Sequence, residues 1–181
     1  MNIEIISGSP RVGSLTHRIA LHLHKVLSES SKHHISLIDV REPAFPMIQV
    51  PYSSVEKTPA ELRAVAERMF VADAFVVVTP EYNGGYSPAM KNLFDHFPKQ
   101  LHKAFGIVTG SDGIMGGIRA SQQVQLMVNG LMGIASPIML ITPLMDKKFD
   151  EAGNLVDEAF KSKVDTFLQE FVWLAERLKS E

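Results

Sequence analysis

Short apolar segments alternate with segments of helical periodicity along almost the whole chain. Strand-like apolar runs occupy residues 3–6, 34–40, 74–79, 104–109 and 137–142. Apolar side chains recur at helical spacing over residues 15–27, 59–72, 88–97, 118–132 and 156–178. The run AFVVVT at 74–79 is apolar up to its last residue, which is typical of a strand buried on both faces.

The alternation of strands and helices predicts the architecture. Each helix returns the chain across the sheet, so the strands run parallel and helices cover both faces. The chain has no repeat, linker or shift of composition, so we expect one three-layer αβα domain over residues 1–181. Residues 42–58 contain three prolines and predict a surface excursion, after which Thr58 and Glu61 have the spacing of a helix capping box.

Composition excludes several classes of function. The 181 residues include no cysteine, which excludes a disulfide framework, a thiol nucleophile, an iron–sulfur cluster and a sulfur-ligated zinc site. The formal net charge of -2 gives no basic surface for nucleic acid, and the seven histidines lack the spacing of a metal site. No apolar run approaches the roughly 20 residues that cross a bilayer, and the first residues predict a strand. We therefore expect a cytoplasmic protein that binds no metal, membrane or nucleic acid.

Three loops at one edge of the predicted sheet are rich in glycine and hydroxyl groups. They are residues 8–16, 80–88 and 110–117, which follow the first, third and fourth strands. In a doubly wound sheet, ligands bind beyond the carboxyl ends of the strands. The sequence therefore predicts a site where these three loops meet.

The first loop has the composition of a phosphate site. It precedes a helix whose free N–H groups and dipole favour an anion, and Ser9, Ser14 and Thr16 add hydroxyl donors. Arg11 adds a guanidinium suited to phosphate. Gly13 is not followed by the lysine of a nucleoside-triphosphate loop, and the dinucleotide pattern G-x-G-x-x-G is absent. These patterns favour a terminal phosphate monoester, with a simple turn and helix cap as the alternative.

The second loop combines two tyrosines, Tyr82 and Tyr86, with the glycines Gly84 and Gly85. Glycine lets the backbone approach the edge of a planar ring, where N–H groups can bond its heteroatoms. Turn formation with ordinary aromatic packing is the alternative interpretation. In the third loop, glycines before the next helix would present N–H groups to a partial negative charge.

Together the three loops resemble those of a known family. The segments GSPRVGSLT, TPEYNGGYSPAMKNLFDHF and TGSDGIMGGIRA are similar, in order and position, to those of the NADPH-dependent FMN reductases, the quinone, azo-dye and chromate reductases. The resemblance covers nearly the whole chain, and P-E-Y-N-G followed by P-A-x-K-N is its most specific part. It implies a flavodoxin-like fold, with a five-stranded parallel sheet in the order 2-1-3-4-5.

The resemblance also implies non-covalently bound FMN, with NADPH or NADH as the electron donor. Around the phosphate it implies Ser9, Arg11, Ser14, Leu15 and Thr16. Along the isoalloxazine it implies Pro80, Glu81, Tyr82, Asn83 and Gly84, and near the pyrimidine side Ser111 and Gly113. No side chain is expected to be catalytic, because the chemistry resides in the cofactor.

We therefore expect an NAD(P)H-dependent FMN oxidoreductase that reduces flavin, quinone or a similar small-molecule acceptor. Donor and acceptor would use one stacking place in turn, which predicts ping-pong kinetics. The alternatives are a flavodoxin-like electron carrier and a non-catalytic FMN-binding module. The sequence names neither the physiological acceptor nor the preferred nicotinamide cofactor.

The helical segment at residues 118–132 predicts a second contact surface. Its apolar residues surround more than one side of the helix, and they are Val124, Leu126, Met127, Val128, Leu131 and Met132. A helix of this kind needs a partner besides its own sheet. The resemblance likewise implies dimers or tetramers, so we expect a homodimer or homotetramer.

Overall fold

The strands and helices follow the predicted alternation. The computed structural model describes residues 1–179. Its strands are β1 (Asn2–Ser7), β2 (His34–Asp39), β3 (Ala74–Pro80), β4 (Ala104–Gly110), β5 (Ile134–Ala135) and β6 (Leu140–Thr142). Its α-helices are α1 (Leu15–Ser30), α2 (Arg63–Val71), α3 (Pro88–Asp95), α4 (Ile118–Gly130) and α5 (Lys161–Lys179). Within residues 1–179, no helix has the length and apolar character needed to cross a membrane.

All strand pairs are parallel and follow the order β2-β1-β3-β4-β5, which confirms the predicted fold class. The fifth strand, however, is divided. Instead of one strand over residues 137–142, β5 pairs with the beginning of β4, and β6 pairs with its end. Pro137 lies between the two segments and has no N–H to donate, so the chain leaves the ladder there and returns at Leu140.

Two apolar cores lie on opposite faces of the sheet. Helices α1 and α5 cover one face, and α2, α3 and α4 cover the other. Both β3 and β4 are buried along their whole length, as the apolar run at 74–79 predicted. Each fully buried side chain such as Phe75 or Phe167 stabilises the fold by about 1.5–3 kcal/mol. The sheet edge that carries the loops is therefore a rigid base for a site.

The apolar residues of α4 divide between the core and the surface. Val124, Met127, Val128 and Leu131 are buried against the sheet and its neighbours. Leu126 and Met132 are 63% and 57% exposed. The helix therefore leaves a smaller apolar surface without a partner than its sequence pattern predicted.

A buried carboxylate interrupts the apolar sheet. Glu4 in β1 is 2% exposed, and Arg68 of α2 donates from Nε and Nη2 to its two oxygens at 3.1 and 2.6 Å. The hydroxyl of Ser36 on β2 also donates to this carboxylate. These bonds replace the water that the charge loses on burial, which makes a polar residue tolerable in the middle of β1.

Residues 42–58 are irregular, as predicted, but they pack against α3. The rings of Phe45 and Tyr52 both lie 5.1 Å from the ring of His96, measured between centroids. Asn92 of α3 also holds the segment, because its side-chain amide hydrogen-bonds backbone groups on both sides of residue 47. The excursion is thus a fixed wall beside α3 and not a free surface loop.

The predicted capping box is wrong. The hydroxyl of Thr58 donates to the carbonyl of Ser54 at 3.0 Å and does not cap a helix. A 3₁₀ turn at Ala60–Leu62 comes first, and α2 begins only at Arg63. The spacing of the two residues was correct for a capping box, but the preceding turn competed for the same hydroxyl.

A polar network joins the carboxyl ends of β1 and β2 to the start of α1. Nδ1 of His17 lies 2.8 Å from Oγ of Ser7 and 3.5 Å from Oδ2 of Asp39. Asp39 accepts from the amide and Nε of Arg41 at 3.0 and 2.8 Å. Nη1 of Arg41 donates in turn to the carbonyl of Arg11 at 3.5 Å. The network therefore connects β2 to the first of the three loops.

Burial lowers the pKa of His17 below its usual 6.5, and this effect outweighs the opposing attraction of the Asp39 carboxylate. Burial alone would raise the pKa of Asp39, but the hydrogen bonds and charge of Arg41 outweigh it and hold that pKa below 3.8. At both groups the folded chain therefore binds protons less readily than the unfolded chain does.

We expect the free energy of unfolding to fall as the pH is lowered from about 7 to about 5. A histidine whose folded pKa is depressed contributes fully above its unfolded value of 6.5, and that contribution is lost as the pH falls. Urea unfolding over a pH series measures this dependence. The His17→Gln variant should show a shallower slope, although part of the slope remains because burial also lowers the pKa of His22.

The matched control is His24→Gln, on the same helix but outside the network, which should keep the wild-type slope. If His17→Gln and His24→Gln depend on pH as the wild type does, His17 is not a source of the acid sensitivity.

Candidate cofactor site

One cavity lies where the loops after β1, β3 and β4 meet. It encloses about 290 Å³, near the lower end of the ~300–1,000 Å³ typical of small-molecule sites. The predicted residues in its wall are Ser9, Arg11, Ser14, Leu15, Thr16, Pro80, Glu81, Tyr82 and Ser111. Asn83, Gly84 and Gly113 lie outside this wall. The structure thus brings residues from all three predicted loops to one place.

The first loop places hydrogen-bond donors at the N-terminus of α1. Ser14 caps this helix, with its Oγ accepting from the amide of His17 at 3.4 Å, and the same Oγ lies 2.9 Å from Oγ1 of Thr16. Oγ of Ser9 accepts from the amide of Arg11 at 3.4 Å. The first turn of α1 contains no acidic residue, so the positive end of the helix dipole is not neutralised there. This end of the cavity favours an anion.

Arg11 spans two of the loops. Its side chain is exposed, and the guanidinium carbon lies 4.7 Å from the centroid of the Tyr82 ring. An exposed cation–π contact is worth about 0.5–1 kcal/mol, whereas a charge-assisted hydrogen bond contributes about 1.5–3 kcal/mol. A phosphate bound in the first loop would therefore outcompete the tyrosine for this guanidinium.

The loop after β3 contains a two-residue turn. Tyr82 and Gly85 exchange backbone hydrogen bonds of 2.8 and 3.0 Å. Between them, Asn83 and Gly84 have φ angles of 52° and 82°, the pair of positive values that a type I′ turn requires and that Asn-Gly favours. Asn83 and Gly84 thus form the turn named as the alternative interpretation of this loop and lie outside the cavity wall, while Tyr82 stays within it.

The hydroxyl of Tyr82 is buried and has no hydrogen-bond partner among residues 1–179. An unpaired buried hydroxyl costs about 1–3 kcal/mol. Tyr82 therefore lines the cavity with its ring, while its hydroxyl lies beneath the cavity surface.

Glu81 binds the N-terminus of α4. Its Oε2 accepts from the amides of Arg119 and Ala120 at 3.1 and 3.4 Å. A carboxylate of the protein itself therefore satisfies these two amides of the helix, so they are not available to a ligand. Across the part of the chain that the structure describes, the amides of residues 112–115 make no hydrogen bond, so these remain available in the third loop.

Several residues that were not predicted also line the cavity, namely Val12, Gly13, Gly110, Asp112 and Met145. Four of these adjoin predicted residues in the same loops. Met145 follows β6, and it packs so closely that a Cβ on Gly110 would lie 2.7 Å from its Sδ. The available signal was its position just beyond the carboxyl end of the last strand, the same edge of the sheet that carries the other loops.

A larger cavity of about 700 Å³ adjoins the first, and Val12 lines both. The excursion and α3 form much of its wall, which includes Arg41, Phe45, Met47, Ala89, Asn92 and Leu93. Val12 is 96% exposed and Met47 is 76% exposed. Exposed apolar residues grouped at a cavity indicate an interaction surface.

Known proteins resemble this chain in sequence along most of its length. The sequence pattern of the family described as NADPH-dependent FMN reductase matches residues 1–140. An FMN-dependent NADPH-azoreductase of Staphylococcus haemolyticus is 29% identical over 177 residues, which cover 93% of this chain and 92% of that protein. An FMN-dependent NADPH-azoreductase of Staphylococcus aureus (strain USA300) is 29% identical over 179 residues, with the same coverage.

Solved structures share the fold. FerB, a flavoenzyme NAD(P)H:(acceptor) oxidoreductase from Paracoccus denitrificans, superposes with a TM-score of 0.76 at 19% identity and covers 97% of both chains. A flavodoxin from Pseudomonas aeruginosa gives a TM-score of 0.58 at 20% identity, covering 95% of this chain and 99% of that one. The flavodoxin-like fold is therefore confirmed.

The family match extends from β1 through the first residue of β6 and includes all three loops that form the cavity. The predicted cofactors, FMN and NADPH, and the predicted class of enzyme, an oxidoreductase, are those of this family. This chain belongs to the NADPH-dependent FMN reductase family.

Proposed function

We propose that this protein reduces flavins, quinones or azo compounds with electrons from NADPH, and that its FMN occupies the 290 Å³ cavity. The observation that carries the proposal is that the three predicted loops line a single cavity at the carboxyl edge of the sheet. The azoreductase relatives support the acceptor class, because they align with 93% of this chain. NAD(P)H is a cytoplasmic metabolite, so we place the enzyme in the cytoplasm.

The phosphate end of the cavity fits a dianion. Ser9, Ser14 and Thr16 offer hydroxyls, α1 offers the amides of its first turn, and Arg11 can turn from Tyr82 to the phosphate. Leu15 contributes its backbone at the first residue of the helix. This donor set suits a phosphate monoester better than a neutral group.

The ring end fits a flat heterocycle. The free amide of Asp112 offers a donor, and the Asp112 carboxylate and Ser111 hydroxyl add acceptors. Donors and acceptors on one loop match the edge of a pyrimidine-like ring, which presents both. We assign Asn83, Gly84 and Gly113 a supporting role in shaping the loops, since they lie outside the wall.

FMN, when bound, would supply the two-electron hydride chemistry between the nicotinamide and the acceptor. The residues of this chain bind and orient the cofactor, and no side chain in the wall is needed for proton transfer. Because the cavity is bounded by the three loops, we propose that NADPH and the acceptor enter from the same open side in turn.

Substitution of Arg11 tests the proposed binding of phosphate at the first loop. Arg11→Ala should weaken FMN binding by about 1.5–3 kcal/mol, because it removes a charge-assisted hydrogen bond to the phosphate. Riboflavin, which lacks the phosphate, should bind the variant and the wild type alike. Titration of the apoprotein by flavin fluorescence measures both affinities.

Arg18→Ala is the matched control, because Arg18 also lies near the start of α1 but contacts Phe149 and Glu151. This variant should bind FMN as the wild type does. An equal loss of FMN and riboflavin affinity in Arg11→Ala would show that Arg11 supports the loop and does not bind phosphate.

Initial-rate kinetics test whether the donor and the acceptor use the same place in turn. If one place serves donor and acceptor in turn, initial rates with NADPH and a quinone should give parallel double-reciprocal lines. Steady-state kinetics with a quinone and with an azo dye test this. Intersecting lines would contradict a shared place, and no NADPH oxidation by FMN-loaded protein would favour an electron carrier of flavodoxin type.

We also propose a homodimer whose interface covers the 700 Å³ cavity. Its support is the exposed apolar group around that cavity, with Val12 and Met47 at its rim. A two-fold contact there would bury this group against the same surface of a second copy.

Light scattering should then give a mass about twice 20.1 kDa at micromolar concentration. Met47→Glu should shift the mass toward the monomer, since it would bury a charge in the interface. Val156→Glu is the control, because Val156 is also exposed, at 57%, but lies outside the cavity. A wild-type mass near 20.1 kDa with FMN bound and activity intact would contradict the dimer.

A further inference from the structure

No side chain of its own segment caps the N-terminus of α4. The residue before the helix is Gly117, with φ +83°, and it provides no capping side chain. A Cβ at this glycine would lie 3.0 Å from Cβ of Thr109, so the usual Ser, Thr or Asp cap cannot stand there. The acceptor comes instead from Glu81, in the loop after β3.

Glu81 is also the link between two loops. Within residues 1–179, every hydrogen bond between residues 81–86 and residues 111–120 is accepted by its carboxylate. Each loop is otherwise held by its own neighbours. Ser87 donates its amide to Oγ1 of Thr79, whereas the third loop bonds to residues that follow β6.

The burial and charge of Glu81 suit this role. Its side chain is 16% exposed, whereas that of Arg119 is 68% exposed. The contact of Arg119 Nη1 with Oε1 is long, at 3.4 Å, and solvent screens it, so it adds little. The two backbone amides and the positive end of the α4 dipole are therefore the main partners of the carboxylate.

We propose that Glu81 is a positioning residue that fixes the gap between the loops after β3 and β4 by capping α4 from a distance. This inference rests on the proposed placement of the flavin ring between these loops. The length of the side chain and its ability to accept hydrogen bonds matter most, and its charge adds only the smaller contribution of the helix dipole. We call this link between the two loops the Glu81 clamp. Its loss loosens the loops after β3 and β4, between which the flavin ring is proposed to lie, and leaves the loop after β1 intact.

Three substitutions of Glu81 distinguish the effect of side-chain length from the effect of charge. Glu81→Gln keeps the length and an oxygen acceptor but removes the charge, so FMN and riboflavin dissociation constants should stay within about threefold of wild type. Glu81→Asp keeps the charge but is one methylene shorter, and Glu81→Ala removes the acceptor. Both should raise the dissociation constants for FMN and riboflavin alike, by about tenfold.

Flavin titrations of the apoprotein supply the affinities, and the absorption band and fluorescence anisotropy of bound flavin report the order of the ring site. Circular dichroism identifies any variant that fails to fold, in which case Glu81→Asp and Glu81→Gln are compared with each other. Arg119→Ala is the control and should match wild type, because it keeps both amide bonds.

The flavin affinities of these variants show whether Glu81 positions the loops, acts through its charge or does neither. If Glu81→Asp binds flavin like wild type while Glu81→Gln does not, the charge matters and the clamp is wrong. If Glu81→Ala also binds like wild type, Glu81 does not position the loops. If wild type binds neither FMN nor riboflavin, the proposed function fails, and that outcome is distinct from a failure of the clamp.

Discussion

The parallel pairing of β3 with β4 is the constraint on which the site depends. Its register places Pro80 beside Gly110, so β3 and β4 end side by side at the same edge of the sheet. The pairing of β1 with β3 likewise holds Ser7 beside Val78, and the amide of Gly8 continues it by donating to the carbonyl of Val78. Three loops therefore start from one edge, and a shift of one residue in either pair would separate them.

The N-termini of α1 and α4 both lie at this edge, but only that of α4 is bonded by an acidic side chain. The first turn of α1 contains no acidic residue, so its partial positive charge is available to an anion. The corresponding end of α4 is neutralised by Glu81. The two helix ends at the cavity therefore differ in charge, and only that of α1 favours an anion, which suits the proposed binding of a phosphate at the first loop.

The sequence predicted those parts of the molecule that depend on local patterns. The apolar runs predicted β3 and β4, and the composition of the loops indicated the edge of the sheet where the cavity lies. These features depend on residues close in the chain, where periodicity and turn preferences act.

Contacts between distant residues could not be predicted in this way. Glu81 caps a helix whose first residue is Ile118, and nothing in the local pattern of either segment encodes the pairing. The prolines of residues 42–58 indicated an irregular segment but did not indicate that its apolar residues pack on α3. In the structure, the rings of Phe45 and Tyr52 pack on His96. In both cases the structure depends on which elements the sheet brings together, a property of the topology and not of the segment.

The shared wall between the two cavities connects the cofactor to the proposed interface. Val12 lies in the first loop and lines both cavities, so a group seated in the larger one would contact the same loop that lines the smaller one. Arg41 acts on the same loop, because it lines the larger cavity and donates to the carbonyl of Arg11. Covering that cavity would exclude water from these contacts and restrict the loop, which lowers the entropy that the loop loses when phosphate binds. The proposed assembly would thus be coupled to the proposed binding of the cofactor through one short segment.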